Sequence, residues 1–167
     1  MNSAKSEHGN VQLVPFSPQY APAFKALNLA WIRKYWEPEP QDFEALDNPQ
    51  SQVIDAGGYI AFAIENNSVL GTCALVKKGD ANYELAKMAV SDSAQGRGIG
   101  LMLGEAIIEQ AKTRGAKRVY LESNTILEPA INLYRKLGFK EFSGEASPYE
   151  RCNIQMELLL ETDAKGS

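Results

Sequence analysis

Glu84-Leu-Ala-Lys-Met-Ala-Val90, Ser91-Asp-Ser-Ala94 and Gln95-Gly-Arg-Gly-Ile-Gly100 follow one another without a break. The first segment alternates and reads as a strand, and the second is a short polar loop. The third sets three glycines at the start of a long amphipathic stretch, Ile99 to Arg114. There Leu103, Ile107 and Ala111 recur at spacings of four with Gly104 and Ile108 beside them, while Glu105, Glu109 and Lys112 face away. A strand thus runs through a tight loop into a helix N-terminus. Glycines let the backbone approach a ligand and adopt positive φ. The helix start supplies unpaired N–H groups and a partial positive charge. Together they make an anion site suited to phosphate, to which Arg97 adds a formal charge. Leu101-Met102 stands where a Walker loop needs Lys-Ser/Thr, and G-x-G-x-x-G fails from both Gly96 and Gly98. A connection whose glycines serve packing alone is the other reading.

Downstream, Arg118 to Glu122 is a short strand, so the segment closes a strand–helix–strand unit whose parallel pair has a right-handed crossover. Pro129 to Leu137 reads as a helix with Pro at its start and Gly138 at its end. Phe139 to Phe142 and Asn153 to Leu160 read as the last strands. Upstream the rhythm is antiparallel. Val11 to Phe16 is a strand stopped near Pro18, and Tyr20 to Trp36 is a helix with Phe24, Leu27, Trp31 and Tyr35 as its apolar stripe. Glu37-Pro-Glu-Pro40 breaks that helix. Gln41 to Asp55 holds one or two shorter helices, interrupted at Asn48-Pro49. Tyr59 to Glu65, Val69 to Lys77 and Tyr83 to Val90 are strands joined by turns at Asn66-Asn67 and Gly79-Asp80. The expected fold is α+β: a mixed, mostly antiparallel twisted sheet with helices on both faces and one β-α-β crossover. The expected domain is 10–161, between a polar, flexible tail at 1–9 and a C-terminal tail at 162–167.

Composition excludes several function classes. The chain has 167 residues, 44% hydrophobic and 23% charged, which suits one domain with an ample core. No apolar run approaches the roughly 20 residues of a membrane span. The net charge of −4 disfavours a broad nucleic-acid or anionic-membrane surface. One histidine, His8, lies in the polar start, which removes the usual Ser-His-Asp and Cys-His sites. Two lone cysteines, Cys73 and Cys152, make neither a zinc site nor a disulfide framework. Both sit in strand-like apolar runs and read as buried small hydrophobes. No metal is expected. Reduced cysteines and the lack of a signal-peptide core at the N-terminus point to the cytoplasm.

Gln95-Gly-Arg-Gly-Ile-Gly100 after a strand ending Met88-Ala-Val90 resembles the Q/R-x-x-G-x-G/A signature of the GNAT superfamily of acetyl-CoA-dependent N-acetyltransferases. Pro129-Ala-Ile-Asn-Leu-Tyr-Arg-Lys-Leu-Gly-Phe139 independently resembles that family's A-x-x-L-Y-x-x-x-G-F block. The resemblance spans Tyr83 to Phe142. It implies the GNAT fold and acetyl transfer to a primary amine by direct attack, with acetyl-CoA as donor. The backbone of Met88, Ala89 and Val90 is then expected to pair with the pantetheine arm and to polarise the thioester carbonyl. The amides of Gln95, Gly96, Arg97, Gly98, Ile99, Gly100 and Leu101 are expected to hold the pyrophosphate, in a slot where neighbouring strands splay apart. Tyr134 matches the family's general acid, with a core tyrosine as the bland alternative. Glu84 matches its general base, acting directly or through water, with an ion-paired edge carboxylate as the alternative. By simple alternation Glu84, Ala86 and Met88 share one face of the strand, and Leu85, Lys87 and Ala89 the other. Leu127 stands where many members carry a cofactor-contacting Asn, and Asn124 is the substitute or else a turn residue.

The resemblance places the acceptor site between the first helices and the last hairpin. Trp31, Arg33, Tyr35 and Arg151 are the candidates, the rings for stacking and the arginines for a bidentate grip on a carboxylate. Lys34, Trp36, Glu37, Glu39, Ser147, Tyr149 and Glu150 lie nearby, and the carboxylates would equally suit a polyamine or a lysine side chain. The partners implied are acetyl-CoA and an amine, with room for a homodimer and none for nucleic acid or membrane. A catalytically idle acyl-CoA-binding regulatory module is the competing function.

Overall fold

A computed structural model describes residues 10–160; the expected tails and His8 lie outside the described residues. Strand β1 (Gln12–Pro15) leads through a single helical turn into α1 (Ala21–Arg33) and α2 (Pro40–Asp47). After one wide turn at Gln50–Ile54 come β2 (Tyr59–Glu65), β3 (Ser68–Gly79) and β4 (Asn82–Val90). Helix α3 (Ile99–Thr113) crosses to β5 (Arg118–Ser123), and α4 (Glu128–Leu137), β6 (Lys140–Phe142) and β7 (Ile154–Leu159) complete the chain. The seven strands form one sheet in the order β1-β2-β3-β4-β5-β7-β6. Among the described residues only β4 and β5 run parallel, as the crossover requires.

The sheet separates two cores. Phe24 of α1 and Leu46 of α2 pack on Ile60, Phe62 and Ala74 on one face. Leu103 and Ile107 of α3 and Ile131 of α4 pack on Cys73, Leu75, Tyr83 and Leu85 on the other. The buried stripe of α1 is Phe24, Asn28 and Ile32, not the expected Leu27, Trp31 and Tyr35; Tyr35 is 51% exposed. The helix also stops at Arg33, and the chain then turns away from its axis. The inward stripe is one position round because Asn28 donates its amide to the Phe24 carbonyl at 3.0 Å and so can be buried. Cys73 is buried as expected, whereas Cys152 is only partly buried and lies before β7 rather than in a strand. Among the described residues no helix is long and apolar enough to cross a membrane.

Two irregularities in β4 shape the middle of the sheet. Thr72 pairs with Ala89 and Ala74 with Ala86, so three steps along β4 match two along β3. The extra residue is a bulge at Lys87–Met88, with Lys87 at φ 55. It corrects the expected alternation. Glu84 and Ala86 face α1 and α2, Met88 and Val90 pack on the α3 side, and Lys87 joins the face of Glu84. The second irregularity is that β4 and β5 pair only at Asn82↔Arg118, Tyr83↔Val119 and Glu84↔Tyr120. Beyond Glu84 the strands part, as the expected splay requires, while β5 stays fully paired with β7 to Ser123.

Gly58 lets β2 start beneath the preceding turn. A Cβ there would lie 2.1 Å from the Leu75 carbonyl oxygen and 2.9 Å from that of Val53. Both are backbone atoms that cannot swing aside. Gly58→Ala is expected to cost about 3 kcal/mol, the upper end of ordinary overpacking. A urea titration should show it as a lowered midpoint at unchanged slope.

Candidate active site

The gap between β4 and β5 opens into a cavity of about 380 Å³. Trp31 and Ile32 of α1 line it, and so does Tyr134 of α4. These helices lie on opposite faces of the sheet. One cavity reaches both because the sheet is open beyond Glu84.

Glu84 stands where the pairing ends. Its side chain is 16% exposed, and its nearest cation, the Lys78 ammonium, is 3.9 Å away. Burial pushes its carboxyl up to about 7, helped by the charge of Glu122 and opposed by Lys78 and Lys87. Tyr134 packs edge-on against Phe139, ring centroids 6.3 Å apart, and presents its side chain to the cavity. Burial, and then the Cys73 thiol close by, raise its phenol above the usual value, so it keeps its proton at neutral pH. Tyr134 is a core residue and a cavity residue at once.

The cofactor candidates divide. Met88 lines the cavity, Ala89 is buried, and the Val90 carbonyl accepts from the Gln95 side chain at 3.1 Å. Gly98 begins α3 in the left-handed region at φ 78, and no side chain caps the helix. A Cβ on Gly96 would meet nothing within 4 Å, so the loop surface is open. Ile99 is buried beneath it and offers only its backbone, while Leu101 is half-buried. Gly100 serves packing: a Cβ there would stand 3.2 Å from Leu133 of α4. Arg97 meets a carboxylate of the protein. Its guanidinium forks onto Glu65, with Nη1 to Oε1 at 3.0 Å and Nη2 to Oε2 at 2.9 Å. Asn124 lines the cavity and is also bonded within its turn. Its amide donates to the Arg151 carbonyl at 2.7 Å and accepts from the Ile126 N–H at 3.0 Å.

The acceptor candidates change more. Trp31 lines the cavity with Trp36, ring centroids 6.1 Å apart, but Arg33 and Tyr35 are exposed and lie outside its lining. Arg151 is inside, yet its bidentate partner is a protein carboxylate. Its Nη2 reaches Asp42 Oδ1 at 2.6 Å and its Nη1 reaches Asp42 Oδ2 at 3.0 Å, with Glu39 at 3.3 Å.

Asp42 is the residue that the sequence did not single out. It is 0% exposed, accepts from the Glu39 N–H at 2.7 Å, and holds Lys87 Nζ at 3.2 Å. Burial alone would raise its carboxyl. The Arg151 bonds, the Glu39 N–H and the Lys87 charge overcome this and hold it below the usual range. Tyr149 completes the cluster: its hydroxyl lies 3.2 Å from Lys87 Nζ, and Arg151 stacks on its ring at 4.6 Å. The only signal in the sequence was the capping pattern of Glu39 and Asp42 around Pro40.

The chain matches the Acetyltransferase (GNAT) family over residues 25–139. It belongs to the GNAT family. This GNAT chain is 35% identical over 75 residues to the uncharacterized N-acetyltransferase YjgM of Escherichia coli, covering 44% of this chain and 45% of that protein. It is 44% identical over 68 residues to the N-alpha-acetyltransferase of Sulfurisphaera tokodaii, covering 40% and 38%. The match thus spans less than half the length of these relatives. Among solved structures it is similar to a GNAT acetyltransferase of Staphylococcus aureus, TM-score 0.82 at 19% identity over 90% of this chain and 99% of the other. It is also similar to YncA of Salmonella typhimurium, solved with its cofactor acetyl-CoA, TM-score 0.75 at 16% identity over 92% and 95%. At these identities the structural likeness is one of fold.

The elevated carboxyl of Glu84 makes stability depend on pH. A folded-state pKa of about 7 against an ordinary 4.5 means that the folded protein binds the extra proton. The stability Glu84 contributes is therefore highest below about 4.5 and is lost as pH rises toward 7. Glu84→Gln cannot ionise. Its melting temperature is expected to exceed that of the native protein at pH 8 and to converge with it in acid, as scanning calorimetry of both across pH would show.

Proposed function

We propose that this GNAT chain moves the acetyl group of acetyl-CoA to a primary amine by direct attack, with Glu84 as base and Tyr134 as acid. One observation carries this reading: a single cavity, passing through the open seam of the sheet, holds a carboxyl poised near 7 and a phenol that keeps its proton. The family match and the acetyl-CoA named for YncA support the donor.

The residues present fit that donor. The edge of β4 beyond Glu84 has no β5 partner among the described residues, α3 begins without a side-chain cap, and the surface over Gly96 is clear. Backbone groups of Met88 to Val90 and amides of Gln95 to Leu101 would hold an extended arm and a diphosphate there. When bound, acetyl-CoA supplies an acyl group activated as a thioester. Glu84 accepts a proton from the acceptor's ammonium, directly or across one water. A carboxyl titrating near neutrality is matched to that transfer. Tyr134 directs its O–H to where negative charge develops on sulfur. Arg97, locked on Glu65, fixes the glycine loop to the end of β2 rather than meeting the phosphates with a free charge. Neither cysteine competes as nucleophile, because burial raises the thiol of Cys73 and, less strongly, that of Cys152.

Acetyl-CoA at about 100 times its Kd is expected to add roughly 2.7 kcal/mol of stability, several degrees of melting temperature, with NAD and ATP giving far less. Equal shifts from all three would remove the donor assignment. Binding without release of free thiol from any amine in a broad panel would leave an idle acyl-CoA-binding module.

Tyr134→Phe keeps the contact with Phe139 and removes the hydroxyl. It is expected to lower kcat about 100-fold while acetyl-CoA affinity stays within a few-fold. Native turnover in this variant, with chemistry shown to limit the rate, would leave Tyr134 a packing residue only.

A further inference from the structure

The cavity carries three cations on its walls, Lys78, Lys87 and Arg151, which at first sight suits an acceptor bearing a carboxylate. Two are already taken: Arg151 grips Asp42 through two bonds and touches Glu39, and Lys87 reaches the same Asp42 at 3.2 Å. The third, Lys78, stands 3.9 Å from Glu84, so a carboxylate drawn to it would be set against that carboxyl. Asp42 is fully buried, and separating it from its cations would leave an unpaired charge away from water. An incoming carboxylate would have to take Arg151 or Lys87 from a partner that water cannot replace, or crowd Glu84 at Lys78.

The carboxylates on the walls are in the opposite condition. Glu44 of α2 is exposed at the α1–α2 end and has no ion-pair partner among the described residues. Among the described residues Glu122 of β5 accepts only from neutral donors, Ser147 Oγ at 2.7 Å and Gln155 Nε2 at 3.1 Å. Trp31 and Trp36 of the α1 region add electron-rich ring faces, which attract ammonium groups, whereas the Tyr120 ring beside Glu84 already carries the Arg118 guanidinium at 4.8 Å.

Resting on the acetyl-transfer reading, we propose that the acceptor is a cationic alkyl amine that carries no carboxylate and has a second positive charge at the end far from the reacting nitrogen. Asp42 is the residue that sets this class, since it takes Arg151 and Lys87 out of play. The reacting amine meets Glu84, and the distal ammonium meets Glu44 and the tryptophans.

The chain's two tryptophans both line the cavity, so intrinsic fluorescence reports its occupancy independently of turnover. The protein, with and without CoA, is titrated at neutral pH with 1,4-diaminobutane, n-butylamine and 4-aminobutyrate, which share a four-carbon chain. The diamine is expected to bind tightest and the aminobutyrate weakest, the two differing by about tenfold or more. Equal or reversed order, or no response to the diamine, overturns the proposal. Asp42→Asn is expected to shrink that ratio by strengthening aminobutyrate binding. If that variant does not fold, Glu44→Gln decides: the diamine is expected to lose at least about threefold more affinity than the aminobutyrate, and an unchanged ratio overturns the proposal. Failure of the acetyl-transfer reading is seen separately, as a missing acetyl-CoA melting shift, and leaves the fluorescence order readable.

Discussion

Everything at this site depends on where β4 and β5 stop pairing. A parallel pair that ran its full length would seal the sheet, and the two helical layers would be isolated from each other. Pairing ends instead at Glu84↔Tyr120. The strand that leaves the pair carries the backbone proposed to hold the donor, and the last paired residue carries the candidate base. The strand across the gap stays rigid because β7 pairs with it throughout. The opening is therefore a property of the sheet and not of a mobile loop. It accounts for a carboxylate facing α1 and a tyrosine of α4 looking into one space.

The bulge in β4 is the second device, and it depends on a buried ion cluster. Lys87 adopts a left-handed backbone, which costs an ordinary side chain about 1–2 kcal/mol. Its ammonium is fixed at the same time on Asp42, beneath Arg151 and against Tyr149. Asp42 thereby joins the start of α2, the bulge of β4 and the segment before β7. Breaking such a buried group by removing one partner typically costs about 3–5 kcal/mol. The cluster holds the irregular strand in place and also decides which charges the cavity shows to an acceptor.

The glycine loop shows how one sequence pattern divides its duties. Gly98 supplies the left-handed entry to α3, Gly96 leaves the surface clear, and Gly100 lets α4 lie close through Leu133. Packing explains Gly100, whereas the open surface over Gly96 is the part suited to the proposed ligand. Arg97 follows the same lesson. A charge beside a phosphate loop invites a phosphate role, yet a carboxylate at the end of β2 meets its planar fork first.

The sequence by itself determined the element order, the β-α-β crossover, the glycine loop and the family, and it singled out Glu84 and Tyr134. Those features are local: periodicity, turn residues and motif spacing act over a dozen residues or fewer. It also marked Trp31 and Met88 as near the site. The tertiary structure alone decided the partners. Arg151 and Asp42 stand 109 residues apart, and Arg97 and Glu65 stand 32 apart, so no window of sequence could pair them. The bulge that moves Lys87 to the face of Glu84 is likewise invisible in the alternation of β4, because it exists only in the register against β3. Charge and reach are written in the residues, but which opposite charge each one meets is fixed by packing. Buried Asp42 is held below the usual carboxylate range because the fold brings Arg151, the Glu39 N–H and Lys87 to it.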